Sequence, residues 1–334
     1  MKLSKILFLS TMIMGTLISI SSFSWFSMWM GLEVNMLSFI PLMNEKNNPL
    51  SSEASFKYFI IQAISSMLIL FNFLSFLISK EYLTPLNFLL EIIFNSALLM
   101  KLGMAPFHFW LPEIMEGISW MNTFFLLTWQ KIAPMILIMY NSQMNLFLIS
   151  IIILSLLISG LKNWNQTSIK KILAFSSINH MGWMLSIILL NQSLWSFYFI
   201  FYVFISFSMI WMFKNSWTPS IQDFFKILNS NKSMKMFFMF NFFSLGGLPP
   251  FLGFFPKWMI LKVLWMENYY ILATLMVFLT LITLFVYIRL LNQTMTFKIS
   301  ESKMLFTSPK NFILNFSNFC NLSGLIIFSL ALNL

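Results

Sequence analysis

The chain has 334 residues, of which 59% are hydrophobic, 18% aromatic and only 9% charged. Soluble domains carry about 25% charged residues, and apolar runs near 20 residues recur along the whole length, so the chain reads as a polytopic membrane protein and not as two soluble domains. The formal net charge of +10 sits on lysines scattered through short connections, and the absence of a basic stripe with interleaved aromatics excludes a nucleic-acid binder.

The N-terminal stretch 1–20 has a basic start but lacks a small-residue cleavage site, so it is read as an uncleaved first helix. From there eleven spans are predicted, at roughly 3–22, 24–43, 55–79, 84–105 (with a short half-helix to about 120), 123–140, 145–161, 169–190, 194–214, 234–265 (broken), 269–291 and 311–332. In lipid the backbone must satisfy its own hydrogen bonds, and these runs are too long and too evenly apolar for barrel strands, so the class is all-α. The longest polar connection, 215–233, is expected to be a loop. The single cysteine, Cys320, excludes an internal disulfide, a cysteine-ligated cluster and a zinc ribbon. His108 and His180 are too few and too far apart for an ordinary haem or metal signature.

Charge placement tests the span count. With eleven crossings, Lys2, Lys5, Lys46, Lys162, Lys170, Lys171, Lys214, Lys226, Lys232, Lys235, Lys298, Lys303 and Lys310 share the side of the N-terminus. Little beyond Lys80 and Lys262 falls on the other. Such asymmetry puts the N-terminus on the cytoplasmic or matrix side and the C-terminus opposite.

Four charges sit where lipid depth makes them costly, at least about 2.5 kcal/mol each. They are Glu33 in "FSMWMGLEVNMLSFIPLM", Lys101 in "NSALLMKLGMAPFHFW", Lys131 in "FFLLTWQKIAPMILIMY" and Lys257 in "FFSLGGLPPFLGFFPKW". Each lysine neighbours a helix breaker: Gly103 and Pro106 follow Lys101, Pro134 follows Lys131, and Gly246, Gly247, Pro249 and Pro250 precede Lys257. Proline removes a donor and frees the carbonyl four residues back, and at membrane depth freed carbonyls turn to neighbouring helices or enclosed water. A lysine there can exchange its proton with water: burial disfavours the ammonium and a nearby carboxylate favours it. Glu33 is the candidate partner. A single membrane lysine is as readily a snorkelling residue or half of a structural ion pair. Three beside breaks, with one central glutamate, favour the proton-carrier reading. Lys80 and Glu81 read as interfacial, and Glu91 is ambiguous. His180 is read as a relay between lysine sites, with a satisfied buried histidine as the alternative. His108 is open to both readings. The two broken segments, about 150 residues apart, point to inverted repeats at about 3–140 and 145–291, followed by a C-terminal helix at about 311–332, all within one membrane domain.

The blocks "EASFKYFIIQA" (53–63), "LLMKLGMAPFHFWLPEIMEG" (98–117), "WQKIAP" (129–134), "QTSIKKILAFSSINHMGWM" (166–184) and "FSLGGLPPFLGFFPKW" (243–258) stand in an order that resembles the mitochondrial NADH dehydrogenase subunit 2 family, the antiporter-like membrane subunits of respiratory complex I. The resemblance implies two inverted five-helix repeats, each with a discontinuous helix, and a C-terminal helix. It implies proton translocation through Glu33, Lys101, Lys131 and Lys257, with Lys57 and His180 also at characteristic positions. In that picture charge passes from Lys101 and Lys131, with His180 nearby, toward Lys257. The alternative is a stand-alone cation/proton antiporter. The resemblance implies no cofactor on this chain, since NADH, FMN, iron–sulfur clusters and ubiquinone belong to other subunits, and no Gly-rich dinucleotide fingerprint is present. It implies as partners the neighbouring antiporter-like subunit, small membrane subunits and lipids such as cardiolipin, with no nucleic acid. The implied location is the mitochondrial inner membrane, with the N-terminus in the matrix and the C-terminus toward the intermembrane space. Enrichment in residues with A/T-rich codons, including 41 Phe and 27 Met, fits such an origin.

Overall fold

The structure, a computed structural model, describes residues 3–45, 48–82, 86–141, 145–216 and 232–296, together with Phe319 and Asn321. The described residues are helical with short connections. The chain divides into two compact units, Met1–Ile151 and Ile152–Leu334. The expected loop at 215–233 and the expected helix at 311–332 lie outside the described residues, apart from their edges and Phe319 and Asn321.

The first unit contains α1 (Leu3–Ser21), α2 (Trp25–Met43), α3 (Pro49–Tyr82), α4 (Leu86–Leu102), α5 (Trp110–Gly117), α6 (Trp120–Leu127) and α7 (Trp129–Tyr140). Ser24 caps α2 from an extended conformation, accepting from the Ser27 backbone N–H at 3.3 Å. α1 and α2 form the tightest pair. A Cβ on Gly31 would stand 2.5 Å from the Ser19 nitrogen, and one on Gly15 would stand 2.7 Å from the Asn35 nitrogen. Lipid-embedded helices gain little by hiding apolar surface from one another, so close backbone approach through small residues holds them. α3 packs on α2, α4 and α5, and α7 packs on α1, α4 and α6.

α8 (Asn145–Asn163) carries the division between the units. The second unit then contains α9 (Ile169–Ile188), α10 (Gln192–Ser216), α11 (Lys232–Gly246), α12 (Phe254–Met266) and α13 (Tyr270–Thr296). α9 is its centre, buried along its length except at Lys170 and Lys171, and it packs on α10, α12 and α13.

Seven segments among the described residues are helical, long and apolar enough to cross a membrane. α4, α11 and α12 fall short of that measure because breaks cut them to 17, 15 and 13 residues. α9 carries Lys170, Lys171, Ser176, Ser177, Asn179 and His180, polarity that suits a helix enclosed by protein. One interruption differs from expectation. Pro134 lies inside an intact α7, and the helix breaks instead at Thr128, whose φ of −114° and ψ of −71° separate α6 from α7.

Candidate functional site

The first break begins where α4 ends. Gly103 takes a φ of +71°, a left-handed conformation that only glycine adopts freely. The Gly103 N–H bonds the Met100 carbonyl at 3.1 Å and the Met104 N–H bonds the Leu99 carbonyl at 3.1 Å, the paired bonds of a Schellman cap. Side chains add to the cap. Trp110 Nε1 donates to the Met100 carbonyl at 3.2 Å, and Gln62 Nε2 on α3 donates to the Lys101 carbonyl at 3.2 Å.

The Lys101 side chain is 6% exposed, and its Nζ donates to the Gln62 carbonyl at 3.5 Å. Around it runs a polar chain. Tyr58 OH donates to Gln130 Oε1 at 3.3 Å, and Gln130 Nε2 donates to Asn35 Oδ1 at 2.9 Å. Asn35, Tyr58, Gln62, Lys101, Gln130 and Pro134 line a cavity of about 10 Å³. That is close to the smallest space that holds one water, and its walls supply polar partners for it. Glu33 is half-buried on α2. Among the described residues Glu33 makes no ion pair, so the direct contact with Lys101 that sequence suggests is not formed.

Lys131 sits in the first turn of α7, three residues past the Thr128 interruption, and is 2% exposed. The Thr128 hydroxyl and N–H both bond the Phe124 carbonyl, closing α6, and the Lys131 N–H bonds the Thr128 carbonyl at 3.2 Å. The next residue that Pro134 affects is Gln130, whose carbonyl loses its helical donor while its side chain joins the polar chain.

Lys57 is placed differently. Its side chain is 41% exposed, and its Nζ lies 3.0 Å from Glu53 one turn back and 2.9 Å from Glu113 on α5. It ties α3 to α5 and does not reach the buried cavity. His108 is buried in the connection between α4 and α5, its Nδ1 3.2 Å from the Pro106 carbonyl and its ring beside Phe109. Glu91 is half-buried and lines a separate cavity of about 120 Å³ with Trp25, Phe73 and Phe94.

In the second unit the same cap recurs. Gly247 has a φ of +77°, its N–H bonds the Ser244 carbonyl at 3.1 Å, and the Leu248 N–H bonds the Phe243 carbonyl at 3.2 Å. Residues 247–253 cross to α12, and Gly253 passes so near α11 that a Cβ there would stand 1.7 Å from the Ser244 carbonyl oxygen. Pro256 falls in the first turn of α12, where its missing N–H costs nothing. Lys257, 6% exposed, points back at the break: its Nζ donates to the Gly246 carbonyl at 2.9 Å and lies 5.8 Å from the Trp183 ring centroid. A cation thus meets the negative end of the α11 dipole.

His180 lies in a buried polar-aromatic cluster. Its Nδ1 is 2.8 Å from Tyr198 OH, and its ring sits beside Tyr202. Tyr287 is buried on α13 beside Phe242, and Asn179 Nδ2 donates to Thr283 Oγ1 at 2.9 Å. The structure therefore places Lys101 in a polar pocket and Lys257 against its own break, while Lys57 stays peripheral. Sequence reasoning missed Asn35, Tyr58, Gln62, Gln130, Tyr198, Tyr202 and Tyr287. Tyr198 and Tyr202, one turn apart in an apolar run, carried the one signal that spacing offers.

Chemically, three buried lysine ammonium groups can take up and release protons, Lys101 against the Gln62 carbonyl of α3 and Lys257 against the end-carbonyl of α11. Among the described residues no group of three His, Cys, Asp or Glu is placed to hold a metal ion.

A family model described as NADH:quinone oxidoreductase/Mrp antiporter, transmembrane, matches residues 22–283. The chain is 46% identical to NADH-ubiquinone oxidoreductase chain 2 of Anopheles gambiae and 44% identical to that of Aedes aegypti, each over 98% of both chains. Its fold is similar to a chain of respiratory complex I from Thermus thermophilus, with a TM-score of 0.85 and 21% identity over 97% of this chain and 78% of that one. It is also similar to a chain of the Mrp complex from Dietzia sp., with a TM-score of 0.72 and 16% identity over 84% of this chain and 58% of that one.

Proposed function

We propose a function from one premise: this chain belongs to the NADH:quinone oxidoreductase/Mrp antiporter membrane family, among the relatives named NADH-ubiquinone oxidoreductase chain 2. It acts as the antiporter-like, proton-translocating subunit of a respiratory complex I. Lys101, biased by Glu33, and Lys131 hold protons in the first unit, and Lys257 holds one in the second. Lys57, His108 and His180 support the transfer. Segments 3–140 and 145–291 act as the two repeats of one membrane domain. Quinone reduction on other subunits shifts these charges electrostatically, so the chain supplies transport while NADH, flavin, iron–sulfur and quinone chemistry stays elsewhere. It resides in the mitochondrial inner membrane with its N-terminus in the matrix, beside a neighbouring antiporter-like subunit, small membrane subunits and cardiolipin.

One observation carries this reading. Both broken helices end in the same glycine cap, and at each a buried lysine ammonium lies against backbone carbonyl oxygen. A purely structural lysine has no need of an opened backbone beside it, whereas a proton carrier needs polar groups that accept its charge without fixing it. In the assembled complex, Lys101→Met and Glu33→Ala are expected to lower proton pumping and coupled turnover about ten-fold or more while the amount of assembled complex holds. Normal pumping in both variants at full assembly overturns the reading.

The likeness to a chain of the Mrp complex favours a second reading, a stand-alone cation/proton antiporter using the same lysines. Cation-driven proton flux by the isolated chain in proteoliposomes decides for it, and silence there together with pumping in the complex decides against.

A further inference from the structure

Far along the chain from the second break, Asn321 is fully buried and touches both sides of that break. Its Nδ2 donates to Asn241 Oδ1 on α11 at 2.7 Å. Its backbone carbonyl accepts from the Leu252 N–H at 3.2 Å, two residues before α12 begins. Ser208 on α10 donates to the same Asn241 oxygen at 2.9 Å. Asn241 and Asn321 are both 0% exposed. That bond pairs only one group of each amide: Asn241 Nδ2 and Asn321 Oδ1 have no partner among the described residues, so the single Nδ2–Oδ1 bond is what joins the two side chains, and losing it leaves a further buried group unpaired, which is costly.

The Lys257 contact depends on the two flanks that Asn321 joins. Gly246, the acceptor, is the last residue of α11, five residues past Asn241. Lys257, the donor, lies in the first turn of α12, five residues past Leu252. A change in the gap between α11 and the start of α12 therefore changes the 2.9 Å contact directly. The Schellman cap closes α11 on itself, and the 247–253 connection carries only single-turn bonds, from Phe251 N–H to the Leu248 carbonyl, Phe254 N–H to Phe251 and Phe255 N–H to Leu252, none of which reaches α11.

We propose that Asn321 is a positioning residue for Lys257: by bonding Asn241 and Leu252 together it sets the distance between the Gly246 carbonyl and the Lys257 ammonium, and so how readily that lysine gives up its proton. The proposal rests on the reading of Lys257 as a proton site. It assigns to the C-terminal segment a role in proton transfer through a single side chain, and it explains why a polar residue of that segment is wholly enclosed beside the break.

The test uses the assembled complex carrying Asn321→Leu, which keeps the volume and removes the donor, with Lys257→Met as reference. Asn321→Leu is expected to speed amide exchange across 247–253, to lower coupled turnover about five-fold and to move the pH at which that turnover is half-maximal. Combined with Lys257→Met it lowers turnover no further than Lys257→Met alone. Should Asn321→Leu fail to assemble, Asn241→Ala, which cuts the same bond from α11, is measured in the same way. A complex with unchanged exchange and an unchanged pH profile overturns the proposal, as does a loss that adds fully to that of Lys257→Met. A silent Asn321→Leu with an impaired Lys257→Met removes this proposal alone, whereas a normally pumping Lys257→Met removes the proton-site reading and the proposal with it.

Discussion

The ammonium of Lys257 sits 2.9 Å from the carbonyl oxygen of Gly246, eleven residues behind it and across a break in the helix. A side chain reaching back in this way replaces a donor that a continuous helix would supply from its own backbone. The contact holds a positive charge at a helix C-terminus, where the dipole welcomes it, in a charge-assisted hydrogen bond that a proton loss would weaken.

Gly247 tests this geometry most directly. Its φ of +77° costs a residue with a Cβ about 1–2 kcal/mol, and that Cβ would stand 2.9 Å from both Lys257 Cδ and Nζ. Gly247→Ala is expected to cut proton-coupled turnover at least ten-fold. Gly246→Ala, whose Cβ would find Tyr287 at an ordinary 3.5 Å, is expected to stay within two-fold of wild type. NADH-driven pumping in the two variants, normalised to assembled complex, gives the comparison; equal behaviour contradicts it.

Gln62 serves Lys101 twice, by donating to its carbonyl and by accepting from its ammonium through the Gln62 backbone. Gln62→Leu removes the first of these and leaves a buried carbonyl unpaired, at about 1–3 kcal/mol. A drop in the thermal-inactivation midpoint and a several-fold loss of pumping are expected together. A variant as heat-stable as wild type would show that the carbonyl finds another donor.

Tyr198 OH lies 2.8 Å from His180 Nδ1. Tyr198→Phe keeps the ring packing and removes the hydroxyl. Coupled turnover is expected to fall about five-fold with assembly intact, and the pH profile of turnover is expected to move with it. An unmoved profile assigns Tyr198 to packing alone.

The α1–α2 contact predicts an assembly defect and no change in chemistry. Gly31→Val places side-chain carbons where a Cβ already lies 2.5 Å from the Ser19 backbone nitrogen, so the helices must separate. The amount of assembled complex is expected to fall several-fold, while activity per assembled complex stays near normal. Full assembly would show that α1 shifts to accommodate the change.

Much of the architecture is legible in the sequence because hydropathy is local. Each run of about 20 apolar residues declares a crossing whatever its neighbours do. Where breakers interrupt a run the estimate also held, since Gly103 and Gly247 cap their helices where sequence places the breaks. The prediction failed at Pro134, because a proline in a packed helix can be carried by its neighbours, while Thr128, an inconspicuous residue, marks the true interruption. Lys57 illustrates a second limit. The resemblance gives it a characteristic position, but only packing shows that its side chain is 41% exposed between Glu53 and Glu113, since burial depends on which helix face packs inward.

Composition, periodicity and the isolated charges by themselves determined a helical membrane chain with Lys101, Lys131 and Lys257 set beside helix irregularities. Each of those features is written in a short window of residues. Only the tertiary structure decided that Gln62 and Trp110 meet the carbonyls behind Lys101, that Lys257 turns back to Gly246, and that Asn321 bonds Asn241. Those pairings join residues from ten to eighty positions apart, and hydrogen-bond partners at that separation are chosen by helix packing, for which no local pattern in the chain encodes a rule.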